Sequence, residues 1–355
     1  MDNDSCFRGC LEARAKLNLS LRVLGRRPDG MHELSSVMTT LSLADKLSFE
    51  LCKLPLRDDA RHSVARESER PPWRIEADVQ SIPSGEANIC FRAAELFSEH
   101  MGIDPFSISL SIFIEKRIPD AAGLGGGSAD AAAVLRFLFQ NRERFCRWFG
   151  LDATSVSLRE LEQIALRCGA DVPFCLYGGM RLCEGVGEVM TLLPSLFPAA
   201  VLLATPAQFV KTKTAFEMLD QFRETDGGAE SVQVETRSRE DTSSVPLNMR
   251  AGSPRSESVA VWKEAIDRQS LRVMEPLIHN DFVPVIAGAL GQVEDLLGAL
   301  RSTPASVVSM SGSGPTCFAL FSDRVTCESV SATMASRFPD VRFITTAIDS
   351  TSELF

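Results

Sequence analysis

The sequence predicts two packed α+β halves with a ligand cleft between them, and three observations point there. Segments with strand alternation and segments with helical periodicity interleave along both halves. A run of glycines stands between a strand pattern and a helix pattern in the first half. The chain's 355 residues exceed what one compact core ordinarily holds.

Ala15–Leu24 places Leu17, Leu19, Leu21 and Val23 at alternate positions, a strand, and Gly25-Arg26-Arg27-Pro28-Asp29-Gly30 is a turn that sends the chain back along it. Leu56–Pro72 is dense in Arg, Asp, Glu and Ser and ends in two prolines, which reads as a solvated loop. Asn88–Met101 spaces Ile89, Ala93, Leu96 and Phe97 as a helix, and Ser107–Ile114 alternates serine with Ile108, Leu110, Ile112 and Ile114 as a half-buried strand. Ser128–Gln140 then carries Ala131, Ala132, Leu135, Leu138 and Phe139 on a helix that begins where the glycines stop. Ser157–Cys168 is an amphipathic helix stopped by Gly169, followed by a short apolar run, Val172–Tyr177. Arg223–Ser258 has few large apolar residues and many Ser, Glu and Arg, and reads as a mobile polar insertion. Ser306–Met310, Cys317–Phe321 and Val341–Ile348 are strands of the second half.

Composition removes several function classes. Apolar residues at 45% and charged residues at 24% exclude a disordered or fibrous chain. A formal net charge of -10 opposes general nucleic-acid binding, because no broad basic surface is available to neutralise phosphates. The start, Met1-Asp2-Asn3-Asp4-Ser5-Cys6, lacks the order of a secretion signal, and no run reaches the roughly 18 apolar residues of a membrane span, so a cytoplasmic protein without a membrane partner is expected. Ten cysteines without a CxxC pair are expected to be reduced thiols, and four histidines at 32, 62, 100 and 279 are too dispersed for a zinc site, so no metal held by protein ligands alone is expected.

Chemistry concentrates in Pro119-Asp120-Ala121-Ala122-Gly123-Leu124-Gly125-Gly126-Gly127-Ser128-Ala129-Asp130. Glycines let the backbone approach an anion, and the following helix offers free N–H groups and a positive dipole end, so a bound phosphate is expected. The loop is neither a Walker A loop, lacking Lys-Ser/Thr after the glycines, nor a GxGxxG fingerprint, having Ser128 at the sixth position. Ser128 is a candidate helix N-cap whose hydroxyl could also reach a phosphate or a phosphate-bound magnesium ion, and Asp130 reads as a first-turn helix acid. A second loop, Met310-Ser311-Gly312-Ser313-Gly314-Pro315-Thr316, offers backbone donors and hydroxyls between two strands; alone it also fits a plain tight turn.

Taken in order, Ala15-Lys16-Leu17-Asn18-Leu19, the Gly25–Gly30 turn with His32-Glu33, Gly123–Ser128, Gly169-Ala170-Asp171-Val172-Pro173-Phe174, Glu184-Gly185-Val186-Gly187-Glu188 and Ser311–Gly314 resemble the GHMP kinase superfamily over nearly the whole chain. The two glycine loops mark the superfamily. The other segments resemble its branch that phosphorylates the 2-hydroxyl of 4-diphosphocytidyl-2-C-methyl-D-erythritol, in the non-mevalonate route to isoprenoid precursors. The resemblance implies a two-domain GHMP fold: a ribosomal-protein-S5-domain-2-like N-terminal domain over 1–185, and a ferredoxin-like C-terminal domain over 186–355 carrying the 223–258 insertion. It implies ATP as donor, with Mg2+ bound mainly through the nucleotide phosphates, and a cytidine-diphosphate-linked polyol as acceptor.

By residue, the resemblance makes Asp171 the base that takes the proton from the attacking hydroxyl, and Lys16 its partner, stabilising charge on the attacking oxygen and the phosphoryl group. The plain alternatives are a turn acid and an exposed strand lysine. Asn88, Lys116, Pro119, Ala121, Ala122, Gly123, Leu124, Gly125, Gly126, Gly127 and Ser128 are expected at ATP. Asn18, Met31, His32, Leu182, Ser311 and Gly312 are expected at the acceptor, with His32 reading the cytosine edge. Two departures bear on the base: Met31 and Leu182 stand where the family carries aromatics that stack on cytosine, a contact worth about 1–3 kcal/mol. A methionine can still lie against a ring through its sulfur. Arg14 and Ala129 replace a proline and a serine. Another GHMP kinase, of homoserine or mevalonate type, and a nucleotide-binding module without catalysis remain as alternatives.

Overall fold

The computed structural model describes residues 5–55, 70–151, 156–225 and 258–349. Two long strands, β1 (Cys6–Arg26) and β2 (His32–Lys53), form an antiparallel hairpin. At its turn the Gly30 N–H donates to the Arg27 carbonyl at 2.9 Å, and Gly30 sits at φ 84, a left-handed conformation that glycine adopts without a Cβ penalty. The first half continues through β3 (Trp73–Ala77), α1 (Ile89–Met101), β4 (Ile108–Glu115), α2 (Gly126–Gln140), α3 (Arg142–Phe149), α4 (Leu158–Cys168), α5 (Val172–Tyr177), β5 (Met180–Gly185) and β6 (Val189–Leu192). The sheet runs β3-β4-β2-β5-β6, with β1 along the remaining edge of β2. β2 divides its other edge, pairing through Lys46–Lys53 with β4 and through Leu34–Thr39 with β5. Helices α1, α2, α4 and α5 bury Phe97, Leu135, Ile164 and Phe174 against Leu47, Leu110 and Ile112 of the sheet.

The second half contains β7 (Ala200–Pro206), α6 (Thr212–Thr225), α7 (Val259–Asp267), α8 (Leu271–Met274), α9 (Val283–Ala289), α10 (Gly291–Arg301), β8 (Val307–Met310), β9 (Cys317–Phe321), α11 (Arg324–Arg337) and β10 (Val341–Ala347). Its antiparallel sheet has the order β10-β7-β9-β8. One apolar cluster belongs to both halves: Leu17, Leu19 and Leu182 pack with Val201, Leu203, Trp262 and Phe318. Shared burial of this kind holds the cleft walls in register, since separating them would return apolar surface to water.

The α+β expectation holds, and, the first strand apart, the helices and strands assigned from sequence are found within a residue or two. The first strand is longer than the apolar alternation indicated, reaching back to Cys6. Four corrections follow from packing. Helix α2 begins at Gly126, with Gly125 at its N-cap in a left-handed conformation (φ 69), so Ser128 stands in the first turn and not at the cap. Asp130 lies beyond that turn and is buried among side chains. β6 pairs with β5, so the first sheet runs past the expected junction at 185/186. Cys6 and Cys52, opposite each other on β1 and β2, are joined in a disulfide, so not every thiol is reduced. The Leu56–Pro72 loop, up to residue 69, and most of the Arg223–Ser258 insertion lie outside the described residues. Among the described residues no single helix is long and apolar enough to cross a membrane.

Candidate active site

The site is built on the free edge of β1. This strand bulges between Arg14 and Lys16 and again between Asn18 and Ser20, and bulges re-aim the side chains beside them. Leu17 and Leu19 point into the shared core while Lys16 and Asn18 face the cleft. Lys16 Nζ donates to Asn18 Oδ1 at 2.5 Å, and Asn18 Nδ2 donates to Ser36 Oγ at 2.8 Å. The same ammonium lies 3.3 Å from Asp171 Oδ2. Lys16 is only 4% exposed, which removes the reading of a solvated strand lysine. Asp171 precedes α5 but makes no side-chain capping bond, which leaves its carboxylate facing the cleft and the lysine. The EGVGE segment forms the β5–β6 turn and packs on Ala170: a Cβ at Gly187 would stand 3.1 Å from the Ala170 carbonyl oxygen. Glu188 Oε2 accepts the Val186 N–H at 2.6 Å and closes that turn.

The glycine loop docks on the same edge. The Lys16 N–H donates to the Leu124 carbonyl at 3.0 Å, and a Cβ on Gly125 would come within 2.8 Å of Lys16 Cγ. The second loop covers it from the other half. Ser311 Oγ donates to the Gly123 carbonyl at 3.0 Å and accepts the Asn18 N–H at 3.2 Å. A Cβ on Gly123 would meet the Ser311 carbonyl oxygen at 2.3 Å, so this approach requires glycine. Asn280 Nδ2 donates to the Met310 carbonyl at 2.6 Å and the Gly312 carbonyl at 2.9 Å, holding the second loop in shape. Between the loops lies a cleft of about 560 Å³, the size of a small-molecule site.

Beneath the glycine loop Lys116 is flanked by two carboxylates. Its Nζ is hydrogen-bonded to Asp45 Oδ2 and lies 2.8 Å from Asp130 Oδ2. Asp45 Oδ1 also accepts the N–H groups of Arg117 at 2.5 Å and Ile118 at 2.9 Å, pinning the segment that leads into the loop. Burial lowers the affinity of Lys116 for its proton, but the two carboxylates outweigh it and hold the ammonium above its ordinary value. Burial pushes Asp130 up to about 7; Lys116 pulls it down and Asp45 adds to the rise. One cation cannot neutralise two carboxylates, and Asp130 Oδ1 is buried without a hydrogen-bond partner.

The structure gathers most of the expected ATP residues along one wall: Lys116, Pro119, Ala121 to Gly123 and Gly125 to Ser128 line the cleft. Leu124 is instead buried in the shared core, contributing its carbonyl. Asn88 spends its side chain on the α1 cap, accepting the Cys90 N–H at 2.9 Å and donating to the Pro83 carbonyl at 2.8 Å. Of the expected acceptor residues, Asn18 and Gly312 line the cleft, and Ser311 is fully buried as the bolt between the loops. Leu182 does not line it: paired with Val37 on β5, it points into the shared core. Met31 is half exposed at the β1–β2 turn, outside the cleft. His32 is held behind the cleft wall, its Nε2 3.0 Å from Asp220 Oδ1 and its ring stacked on Phe216. Sequence reasoning missed Asp45, a lone acid within a strand, and Phe209, Lys211 and Phe216, which line the cleft from the start of α6 and the loop before it. The helical spacing of Ala215, Leu219 and Phe222 is a local signal for the helix that carries Phe216.

Residues 88–179 match the family of GHMP kinases N terminal domain, and residues 262–340 match GHMP kinases C terminal. The chain is 34% identical over 333 residues to a 4-diphosphocytidyl-2-C-methyl-D-erythritol kinase of Synechococcus sp. (strain CC9605), covering 92% of each. A kinase of the same name from Lachnoclostridium phytofermentans is 33% identical, with 90% of this chain and 89% of that one covered. A solved 4-(cytidine 5'-diphospho)-2C-methyl-D-erythritol kinase superposes with TM-score 0.66 at 25% identity, over 96% of this chain and 100% of that one. Homoserine kinase from Cytophaga hutchinsonii, with TM-score 0.61 at 16% identity over 99% of this chain and 96% of that one, shares the fold alone.

Proposed function

The chain belongs to the 4-diphosphocytidyl-2-C-methyl-D-erythritol kinase family of GHMP kinases, and from that membership we propose that it transfers the γ-phosphoryl group of ATP to the 2-hydroxyl of that acceptor, a step of isoprenoid precursor synthesis. The observation that carries the catalytic reading is the Lys16–Asp171 pair, 3.3 Å apart at the foot of the glycine loop. Asp171 takes the proton of the hydroxyl as its oxygen attacks phosphorus. Lys16 places positive charge beside the attacking oxygen and the phosphoryl oxygens, where charge grows in the transition state. Asn18, bonded to Lys16 and to Ser36, holds the ammonium on line.

ATP supplies the electrophilic phosphorus and the leaving group. The cradle fits a polyphosphate: three consecutive glycines, Gly125 to Gly127, stand at the N-terminal end of α2, whose N-cap makes no side-chain hydrogen bond. Among the described residues no three His, Cys, Asp or Glu side chains converge into a metal site. Magnesium would be held mainly by phosphate oxygens, with the Ser128 hydroxyl as a candidate protein ligand on the loop. We propose the cytoplasm as the compartment of the reaction.

The test is coupled ADP release with ATP and magnesium, offering diphosphocytidyl methylerythritol beside homoserine and mevalonate. Turnover of the cytidyl acceptor is expected, with kcat reduced about 10²- to 10⁴-fold in Asp171→Ala, the range for loss of a general base. Turnover of homoserine or mevalonate alone would sink the acceptor assignment, and full activity of Asp171→Ala would remove Asp171 from the chemistry.

A further inference from the structure

We propose that Lys211, the residue before α6 on the second-half wall of the cleft, binds the diphosphate of the acceptor and favours diphosphate-bearing acceptors over other alcohols. The inference rests on the acceptor assignment above and adds to it a residue that no sequence motif marks.

The argument begins with charge. Among the described residues three ammonium groups line the cleft, those of Lys16, Lys116 and Lys211. Lys16 is matched by Asp171, and Lys116 by Asp45 and Asp130. Lys211 is exposed and has no carboxylate partner among the described residues. The reaction brings two polyphosphates into one cleft, where they repel each other, and a chain of net charge -10 supplies no positive background to offset that repulsion. The donor's phosphates have the glycine loop and the start of α2. The acceptor's diphosphate needs a cation of its own, and the one whose charge is not already matched is Lys211.

Position agrees with charge. Thr212, the first residue of α6, accepts a hydrogen bond at its Oγ1 from Ser313 Oγ at 3.2 Å, which ties the start of the helix to the second loop. The neighbouring Gly312 lies against the reaction centre: a Cβ there would stand 3.3 Å from Lys16 Nζ. Lys211 therefore enters the cleft beside the second loop, across from the glycine-loop wall and a short step from the Lys16–Asp171 pair. In the acceptor the diphosphate hangs on the same four-carbon polyol that carries the reacting hydroxyl, so it comes to rest within a few bonds of that pair. Homoserine and mevalonate carry no diphosphate, and neither gains from an ammonium at this place as the cytidyl acceptor does.

The experiment compares wild type, Lys211→Met and Lys211→Arg in steady-state kinetics, with calorimetric titration of CDP and of cytidine as readouts independent of turnover. Lys211→Met keeps the length of the side chain and removes its charge. It is expected to raise the acceptor KM and weaken CDP binding about five- to tenfold, between an exposed ion pair and a hydrogen bond to a charged group. The kcat and the KM for ATP should stay within about twofold, as for loss of binding shared by ground and transition states. Cytidine, which has no phosphate, should bind both proteins equally, and Lys211→Arg should stay close to wild type throughout. Unchanged acceptor KM and CDP affinity in Lys211→Met, an equal rise in the KM for ATP, or equal weakening of cytidine would each overturn the diphosphate role while leaving the acceptor assignment intact. Wild type that turns over homoserine or mevalonate but neither turns over the cytidyl acceptor nor binds CDP would overturn that assignment, and the role of Lys211 with it.

Discussion

Replacing Gly123 by alanine tests the closest backbone approach in the site. The added Cβ would lie 2.3 Å from the Ser311 carbonyl oxygen and 3.0 Å from that of Gly314, both backbone atoms that cannot swing aside. Gly123 also sits at φ +76, where an L-residue costs about 1–2 kcal/mol. If the two loops part to make room, the bond from Ser311 Oγ to the Gly123 carbonyl breaks and leaves polar groups buried, at about 1–3 kcal/mol. The sum is about 2–5 kcal/mol of stability, together with a gap where the phosphates should be held. Gly127→Ala is the internal control. Its Cβ would meet only Ile89 Cγ2, at an ordinary 3.7 Å, and alanine within a helix gains up to about 1 kcal/mol over glycine. Thermal unfolding of the two variants, with the KM for ATP measured on each, decides the matter. Gly123→Ala should melt several degrees lower and bind ATP poorly, while Gly127→Ala should melt at or above the wild-type temperature. Equal tolerance of both substitutions would refute the argument that the two loops meet backbone to backbone at Gly123.

Two further predictions concern buried groups. The folded-state value of about 7 for Asp130 lies above its ordinary 3.8, so the folded protein binds a proton that the unfolded chain releases first. The associated stability is present at acid pH and is lost as pH rises through about 7. Asp130→Asn should therefore flatten the fall in melting temperature between about pH 4 and about pH 7, and an unchanged slope would assign that fall to another group. The second prediction concerns the Cys6–Cys52 pair. Alkylation in denaturant without reductant should modify the eight free cysteines, and addition of reductant should raise the count to all ten. Ten modified thiols without reductant would contradict the disulfide.

The parts of this protein legible in its sequence are those governed by local rules. Helical spacing in Asn88–Met101 and Ser157–Cys168 and alternation in Ser107–Ile114 each specify an element from residues within a few positions of one another, and the structure has them nearly in place. The glycine loop was legible for the same reason, since glycines before a helix report a backbone requirement directly. Lys16 and Asp171 were readable as candidates only through whole motifs. Nothing local to either residue says that a bulged strand and a short helix far along the chain will bring their charges to 3.3 Å.

Tertiary structure alone decided the rest. Asp45 reads as one acid in a strand until Lys116 and Asp130 fold against it. Leu182 was expected at the acceptor, yet strand parity and the shared core turn it inward. Phe216 carries no motif, and becomes a wall of the cleft because α6 is clasped to the β1–β2 hairpin. The division has a physical cause. Periodicity and turn chemistry act between neighbours in sequence, whereas burial, charge pairing and ring contacts depend on which distant segments share a core, and that is settled when the two halves close on each other.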